Sequence, residues 1–263
     1  MKIAVLQYPI IWADVRANVS LTIERIAALA GKADVALLPE MFSTGFCVDH
    51  PELAEPVDGY TITSLQQAAD KYDIAIAGTF ICREAYGLYN RGFLLSPHAE
   101  PQFQDKRHLY AHGGEDKFFT PANRRTIFTY RGVKMLMLIC YDVRFPVWAR
   151  NVSGHDYDII LVSANWPEAR VNLWDTLVAA RAVENQCYIV AANAVGDDGL
   201  GWHYNGHSAA YDTRLQEQLH FADDEQGTRI VNLSLEALRH FREALPLWHD
   251  VDREMVKIPT NEL

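Results

Sequence analysis

The 263-residue chain carries 24 Lys and Arg against 34 Asp and Glu, a formal net charge of −10. Such a surface repels nucleic acid and anionic membranes, so neither is expected as a partner. A hydrophobic fraction of 49% with 22% charged residues suits a sizeable core in one large domain spanning residues 1–263.

In chain order, "KIAVLQ" (2–7) reads as a short apolar strand, followed by a helical pattern near 16–30. "ADVALLPE" (33–40) is a nearly continuous apolar run, the pattern of a strand buried on both faces. A helix at 63–73 leads into a second such strand at 74–81. "YNRGFLLS" (89–96) and "PQFQDK" (101–106) form an adjacent pair. The segment 125–142 reads as a hairpin turning at Arg131-Gly132, with its second arm ending at Cys140. A short helix after Pro146, a strand at 157–165, a helix at 171–186 and a strand at 187–196 continue the alternation. Three stretches within 206–234 resemble successive antiparallel strands, and a helix at 235–244 precedes the tail. Strands and helices alternate throughout with hairpins between them, which indicates one α/β domain with mixed sheets.

The stretch 1–20 has one short apolar run broken by Gln7, Pro9 and Asp14, too interrupted for an export signal or a membrane span. Cys47, Cys82, Cys140 and Cys187 lie far apart without paired spacing. Reduced thiols in a cytoplasmic protein are the expectation.

Three strand ends present chemistry: "LLPE" delivers Glu40, "FQDK" delivers Lys106 and "LMLIC" delivers Cys140. In α/β folds, functional side chains emerge at the ends of buried strands. A carboxylate that takes a thiol proton, a thiolate that attacks a carbonyl and an ammonium that stabilises the oxyanion are the parts of nucleophilic acyl transfer. Each residue alone has a plainer reading. Cys140 would be a small buried hydrophobe, Glu40 a cap and Lys106 a solvated cation. The H-x3-H-x2-E spacing of His108, His112 and Glu115 imitates a metal site, but Gly113 and Gly114 interrupt any helix that would align the three. No metal or cofactor is therefore expected. A serine-hydrolase elbow is absent from the sequence.

Taken together, "LLPEMFSTGF", "KRHLYAHGGE", "LICYDVRFP", "SANWP", "RAVENQ" and "GHS" resemble, in order and over nearly the whole chain, the nitrilase (carbon–nitrogen hydrolase) superfamily. The resemblance implies a four-layer α-β-β-α sandwich, commonly a homodimer, with the C-terminal tail (about 246–263) packing on the partner. It implies Glu40 as general base, Lys106 as oxyanion stabiliser, Cys140 as nucleophile and Glu115 as a supporting glutamate. The backbone N–H of Tyr141 would complete the oxyanion hole. Relatives commonly carry glycine after the proline of the loop following the second glutamate, where this chain has Ala122 in "FTPANR". Alanine there would be strained only at positive φ.

"PEMFSTGF", "CYDVRFP" and "SANWP" look most like the bacterial ω-amidase branch. That branch is associated with hydrolysis of the terminal amide of 2-oxoglutaramate or 2-oxosuccinamate to the oxo dicarboxylate and ammonia. Such a substrate has a distal carboxylate, so its pocket should hold a cation and an apolar wall. Lys117 is the leading candidate cation and Arg144 the second, although Arg144 could instead pair with Asp142 to hold the turn. Phe46 and Trp166 are candidate walls, or packing. Arg181 and Glu184, at i and i+3 on a helix, suit a structural ion pair. The alternatives are another hydrolase of the superfamily (a carbamoylase, aliphatic amidase or nitrilase) and a catalytically idle binding protein.

Overall fold

The computed structural model describes residues 1–259. Its strands form two six-stranded mixed sheets packed face to face and flanked by helices. In the first sheet, β1 (Lys2–Gln7), β2 (Val35–Leu37) and β3 (Ala75–Glu84) run parallel, and β4 (Gly87–Leu95) and β5 (Gln102–Asp105) extend it antiparallel. In the second, β7 (Val133–Ile139), β8 (Ile159–Ala164) and β9 (Tyr188–Asn193) form the parallel centre. There β6 (Ile127–Tyr130) lies antiparallel at one edge. A small hairpin of β10 (Val195–Asp197) and β11 (His203–Asn205) stands apart, and β12 (Ala209–Tyr211) and β13 (Glu217–His220) complete the second sheet.

The period-2 alternation of side chains assigns each strand residue to one of two cores. Ile3, Val5, Val35 and Leu37 meet Met135, Met137, Ile159 and Leu161 between the sheets. Their neighbours Ala4, Leu6, Ala36 and Leu38 face outward into a second cluster, covered by α1 (Val15–Ala27) and α2 (Tyr60–Tyr72). Leu136, Leu138, Ile160 and Val162 likewise face α3 (Pro146–Ala149) and α4 (Val171–Asn185). Because both faces of these strands are buried, their sequences are continuous apolar runs. The result is the four-layer α-β-β-α arrangement that the family resemblance implies.

The β6–β7 hairpin turns at Arg131 and Gly132, both at positive φ (49° and 75°), the geometry of a two-residue type I′ turn. One expectation is corrected. The stretch at 227–232 forms β14 (Gly227–Asn232), which does not continue the sheet of β12 and β13 but crosses to pair antiparallel with β1. Local pattern shows that a strand exists, whereas its partner is chosen by the free edge of a sheet elsewhere in the chain. The helix at 235–244 is α5 (Leu235–Ala244).

Of the tail at 246–263, residues 260–263 lie outside the described residues. Within residues 246–259, the Pro259 carbonyl accepts from the Arg125 N–H at 2.7 Å, and Ile258 packs on the α4 side of the second sheet. Among the described residues, no helix is long and apolar enough to cross a membrane.

Candidate active site

At the carboxyl ends of the parallel strands, the two sheets are joined by polar contacts. Ser163 Oγ donates to the Leu38 carbonyl at 2.8 Å, and Asn165 Nδ2 donates to the Glu40 carbonyl at 2.9 Å. Glu40 follows β2, Lys106 follows β5 and Cys140 follows β7, so one end of the sandwich gathers all three.

Cys140 sits at φ 44°, the left-handed region that a non-glycine residue occupies only when its surroundings impose it. The next residues form a short 3-10 helix, Cys140–Arg144. Its opening N–H groups, that of Tyr141 among them, have no acceptor within the helix. Buried Asp142 holds this turn by accepting from the Ile139 N–H (3.2 Å) and from both the N–H and the Nδ1 of His108 (each 2.8 Å). The His108 ring also stacks on Phe145, with centroids 3.7 Å apart and planes 8° from parallel. His108 thereby ties the loop after Lys106 to the turn that carries Cys140. Asp142 is held by His108 and not by Arg144.

The polar cluster beneath Cys140 is closed to solvent. Lys106 Nζ donates to Glu40 Oε1 at 2.8 Å and to Glu115 Oε2 at 2.6 Å, with all three side chains fully buried. Glu40 Oε2 accepts from the Asn165 N–H at 2.9 Å, and Glu115 Oε2 from the Tyr110 N–H at 2.6 Å. Asn90 Nδ2 donates to both glutamates. Burial works against the Lys106 ammonium, but the charges of Glu115 and Glu40 outweigh it and hold the group above its ordinary range. Burial, reinforced by Glu40, pushes the Glu115 carboxyl above the usual carboxylate range in spite of Lys106. Burial and the Glu40 charge likewise raise the Cys140 thiol well above its ordinary range, so it rests protonated. The thiol points at the Asn165 carbonyl, with Sγ 3.8 Å from the oxygen. A neutral thiol, a carboxylate with a lone pair to spare and an ammonium with its third N–H uncommitted can carry out acyl transfer when a carbonyl enters.

Cys140 and Lys106 form the floor of a cavity of about 210 Å³. Phe46, Tyr110 and Trp166 line its lower walls, and Leu200, Trp202 and Tyr204 of the β10–β11 hairpin close one side. Arg144 and Arg170 supply the guanidinium groups. Arg144 lies over Trp166 at 4.8 Å, and Arg170 over Tyr110 at 5.3 Å. Among the described residues neither guanidinium is ion-paired. The cavity is therefore positive inside an acidic protein.

The structure brings Glu40, Lys106, Cys140, Glu115 and Tyr141 together and puts Phe46, Trp166 and Arg144 on the cavity wall. Lys117 is exposed and outside the cavity; among the described residues, the guanidinium groups on the cavity wall are those of Arg144 and Arg170. His108, His112 and Glu115 diverge to Asp142, the cavity wall and Lys106 respectively. Arg181 pairs with Glu184 at 2.7 Å and donates to the Val143 carbonyl at 2.9 Å, bracing the Cys140–Arg144 turn from α4. Ala122 is not at positive φ. Its side chain fits without strain, and its N–H donates to the Lys106 carbonyl at 2.9 Å.

Asn90, Arg170, Trp202 and Tyr204 carry no sequence expectation, and His108 reads only as part of a metal-like spacing and not as the partner of Asp142. Asn90 is the one amide in β4, a readable signal although Arg91 stands beside it. Tyr204 lies in β11 and Trp202 in the turn just before it, a hairpin that the sequence pattern does not announce.

The Carbon-nitrogen hydrolase family model matches residues 2–243. "Omega-amidase YafV" of Escherichia coli (strain K12) is 39% identical over 253 residues, covering 96% of this chain and 97% of its own. "2-oxoglutaramate amidase" of Bacillus subtilis (strain 168) is 30% identical over 227 residues, 85% of this chain and 86% of its own. Among solved structures, XC1258 from Xanthomonas campestris is described as a CN-hydrolase superfamily protein with an arsenic adduct in the active site. It superposes with a TM-score of 0.93 at 34% identity, covering 96% of this chain and 97% of that one.

Proposed function

From the premise that this chain belongs to the carbon–nitrogen hydrolase family, we propose that it is an ω-amidase. Its substrates are 2-oxo dicarboxylate monoamides such as 2-oxoglutaramate and 2-oxosuccinamate, and it cleaves their terminal amide through a thioester on Cys140. The observation that carries this reading is the buried Glu40–Lys106–Glu115 cluster beside a strained Cys140, under a cavity whose free charges are two arginines. The names of the relatives, an omega-amidase and a 2-oxoglutaramate amidase, support the same substrate class.

The distal carboxylate meets Arg144, with Arg170 beside it, and the carbon chain lies against Phe46 and Trp166. This directs the amide carbonyl towards Lys106 and Cys140. Glu40 takes the thiol proton as Sγ bonds to the amide carbon. The carbonyl oxygen becomes an oxyanion held by the third Lys106 N–H and the Tyr141 N–H. Such donors are each worth about 10²–10³ in rate. Glu40 then returns the proton to the amide nitrogen, the C–N bond breaks and ammonia leaves a thioester. Water loses a proton to Glu40, attacks the thioester carbon, and expels the thiolate, which recovers its proton from Glu40. The thiol of the resting enzyme is neutral, so the adjacent carboxylate is needed in both halves.

The test is ammonia release from 2-oxoglutaramate and 2-oxosuccinamate, set against N-carbamoyl amino acids and simple nitriles. The oxo-amides should give the highest kcat/KM, and Cys140→Ala should abolish turnover. A better carbamoyl or nitrile substrate overturns the ω-amidase reading; full activity in Cys140→Ala overturns the mechanism.

A further inference from the structure

The buried cluster contains a member for which the reaction so far has no use. Asn90 lies in β4 and is fully buried. Its Nδ2 is 2.7 Å from Glu40 Oε1 and 3.1 Å from Glu115 Oε1. Its backbone carbonyl accepts from the Lys106 N–H at 2.9 Å. One residue thus holds the lysine by its main chain and both glutamates by its side chain. The contacts close a ring from Asn90 to Glu40, to Lys106, to Glu115 and back to Asn90.

The amide can face only one way. Ionised carboxylates accept and do not donate, so the NH2 end must point at them and both of its hydrogens are used. The cost falls on the other end: Asn90 Oδ1 is buried and has no hydrogen-bond partner among the described residues. An unpaired buried acceptor is unfavourable, and an apolar side chain of similar shape would avoid it. The unpaired oxygen marks a position where two donors are required.

Charge explains why the donor is an amide. Two carboxyl groups face one ammonium, so with both ionised and the thiol neutral the cluster carries one negative charge in excess. That excess is the place where the thiol proton goes. A second cation at position 90 would neutralise it, and a third carboxylate would make the pair harder to ionise. A neutral NH2 stabilises both anions and leaves their count unchanged.

We propose that Asn90 is a positioning residue for the reaction. It occupies Oε1 of Glu40 together with Lys106, which turns Oε2 towards Asn165 and the Cys140 side, and it donates to both carboxyl groups while the site is closed to water. Asn90 is not on the cavity wall, so it acts through Glu40 and not on the substrate. The titratable groups facing the pair are Lys106 after β5, Cys140 after β7 and Tyr204 from the β10–β11 hairpin. This inference rests on the proposed reading of Glu40, Lys106 and Cys140.

The experiment compares Asn90→Leu, Asn90→Ser and Asn90→Asp with wild type, measuring kcat, KM and the pH profile of kcat/KM on 2-oxoglutaramate. Hydrogen bonds to charged groups are worth enough that kcat in Asn90→Leu should fall about 10- to 100-fold, with KM little changed. The acid limb of the profile should move about one unit to higher pH, because the pair loses donors that favour its charged form. Asn90→Ser, which keeps one donor and removes bulk, should lie between and covers the case in which leucine does not fold. Asn90→Asp should move the limb in the same direction by a third negative charge. A fall in kcat with an unmoved acid limb in the variants that fold, or a change confined to KM, overturns the proposal. Glu40→Gln and Cys140→Ala, run in parallel, separate the two readings: activity retained in either sinks the triad assignment, whereas their loss beside an unaltered Asn90→Leu sinks only this inference.

Discussion

Replacing Lys106 by methionine removes the only ammonium from the buried cluster and keeps the length of the side chain. Two charge-assisted hydrogen bonds, at 2.8 and 2.6 Å, are lost. Each is worth about 1.5–3 kcal/mol, and breaking a buried ion pair by deleting one partner costs about 3–5 kcal/mol. For a domain of this size, that lowers Tm by roughly 10 °C. The pH dependence is the sharper test. Burial already holds Glu115 above the usual carboxylate range. A raised carboxyl takes up a proton on folding, so its contribution is present at low pH and lost as pH rises. Without Lys106 that loss extends into neutral pH. The raised Lys106 ammonium is itself fully charged below its ordinary range, so it adds no slope to the wild type between pH 5 and 8. Scanning calorimetry should therefore find a large Tm deficit for Lys106→Met at pH 8 that shrinks towards pH 5. A deficit that is independent of pH, or no deficit, would refute the reasoning.

Three further outcomes follow from the geometry. Arg144→Met removes a guanidinium that faces the cavity over Trp166. It should lower kcat/KM for 2-oxoglutaramate about 10- to 100-fold, mainly through KM, while a neutral aliphatic amide is turned over as before; equal losses on both would exclude a carboxylate contact. His108→Ala strips buried Asp142 of its 2.8 Å side-chain donor and Phe145 of its stacking partner. A loss of about 1–3 kcal/mol in urea denaturation is expected, together with lower kcat, and unchanged stability would count against the tie between the two loops. Burial and Glu40 raise the Cys140 thiol, so its alkylation by iodoacetamide should keep accelerating with pH beyond the ordinary thiol range. A plateau below pH 8 would mean that the thiol rests ionised.

Much of this molecule is written locally. The runs at 35–38, 135–139, 159–162 and 188–192 are apolar on both alternating faces, and a strand of that kind has to be covered on both sides. Glu40, Lys106 and Cys140 each end an extended run, and the ordered motifs around them carry the resemblance to the carbon–nitrogen hydrolases. Asn90 was legible in principle as the one amide in β4, beside the charged Arg91. What it bonds to was not, because Glu40 lies 50 residues away and Glu115 25 in the opposite direction.

The choice of cation shows where sequence stops. Lys117 is two residues from Glu115, but the 3-10 turn Glu115–Lys117 sends it outward to solvent. Arg144 is released to the cavity because His108, from another loop, has taken Asp142. Arg170 and Trp202 arrive from segments whose spacing carries no common signal, and β14 passes over its neighbour β13 to reach the edge at β1. The sequence alone determined which residues hold reactive groups and which strands must be buried, since propensity and periodicity act over a few residues. Only the tertiary structure decided which groups share one site and which charges remain unpaired in it, since those depend on partners brought together by packing from across the chain.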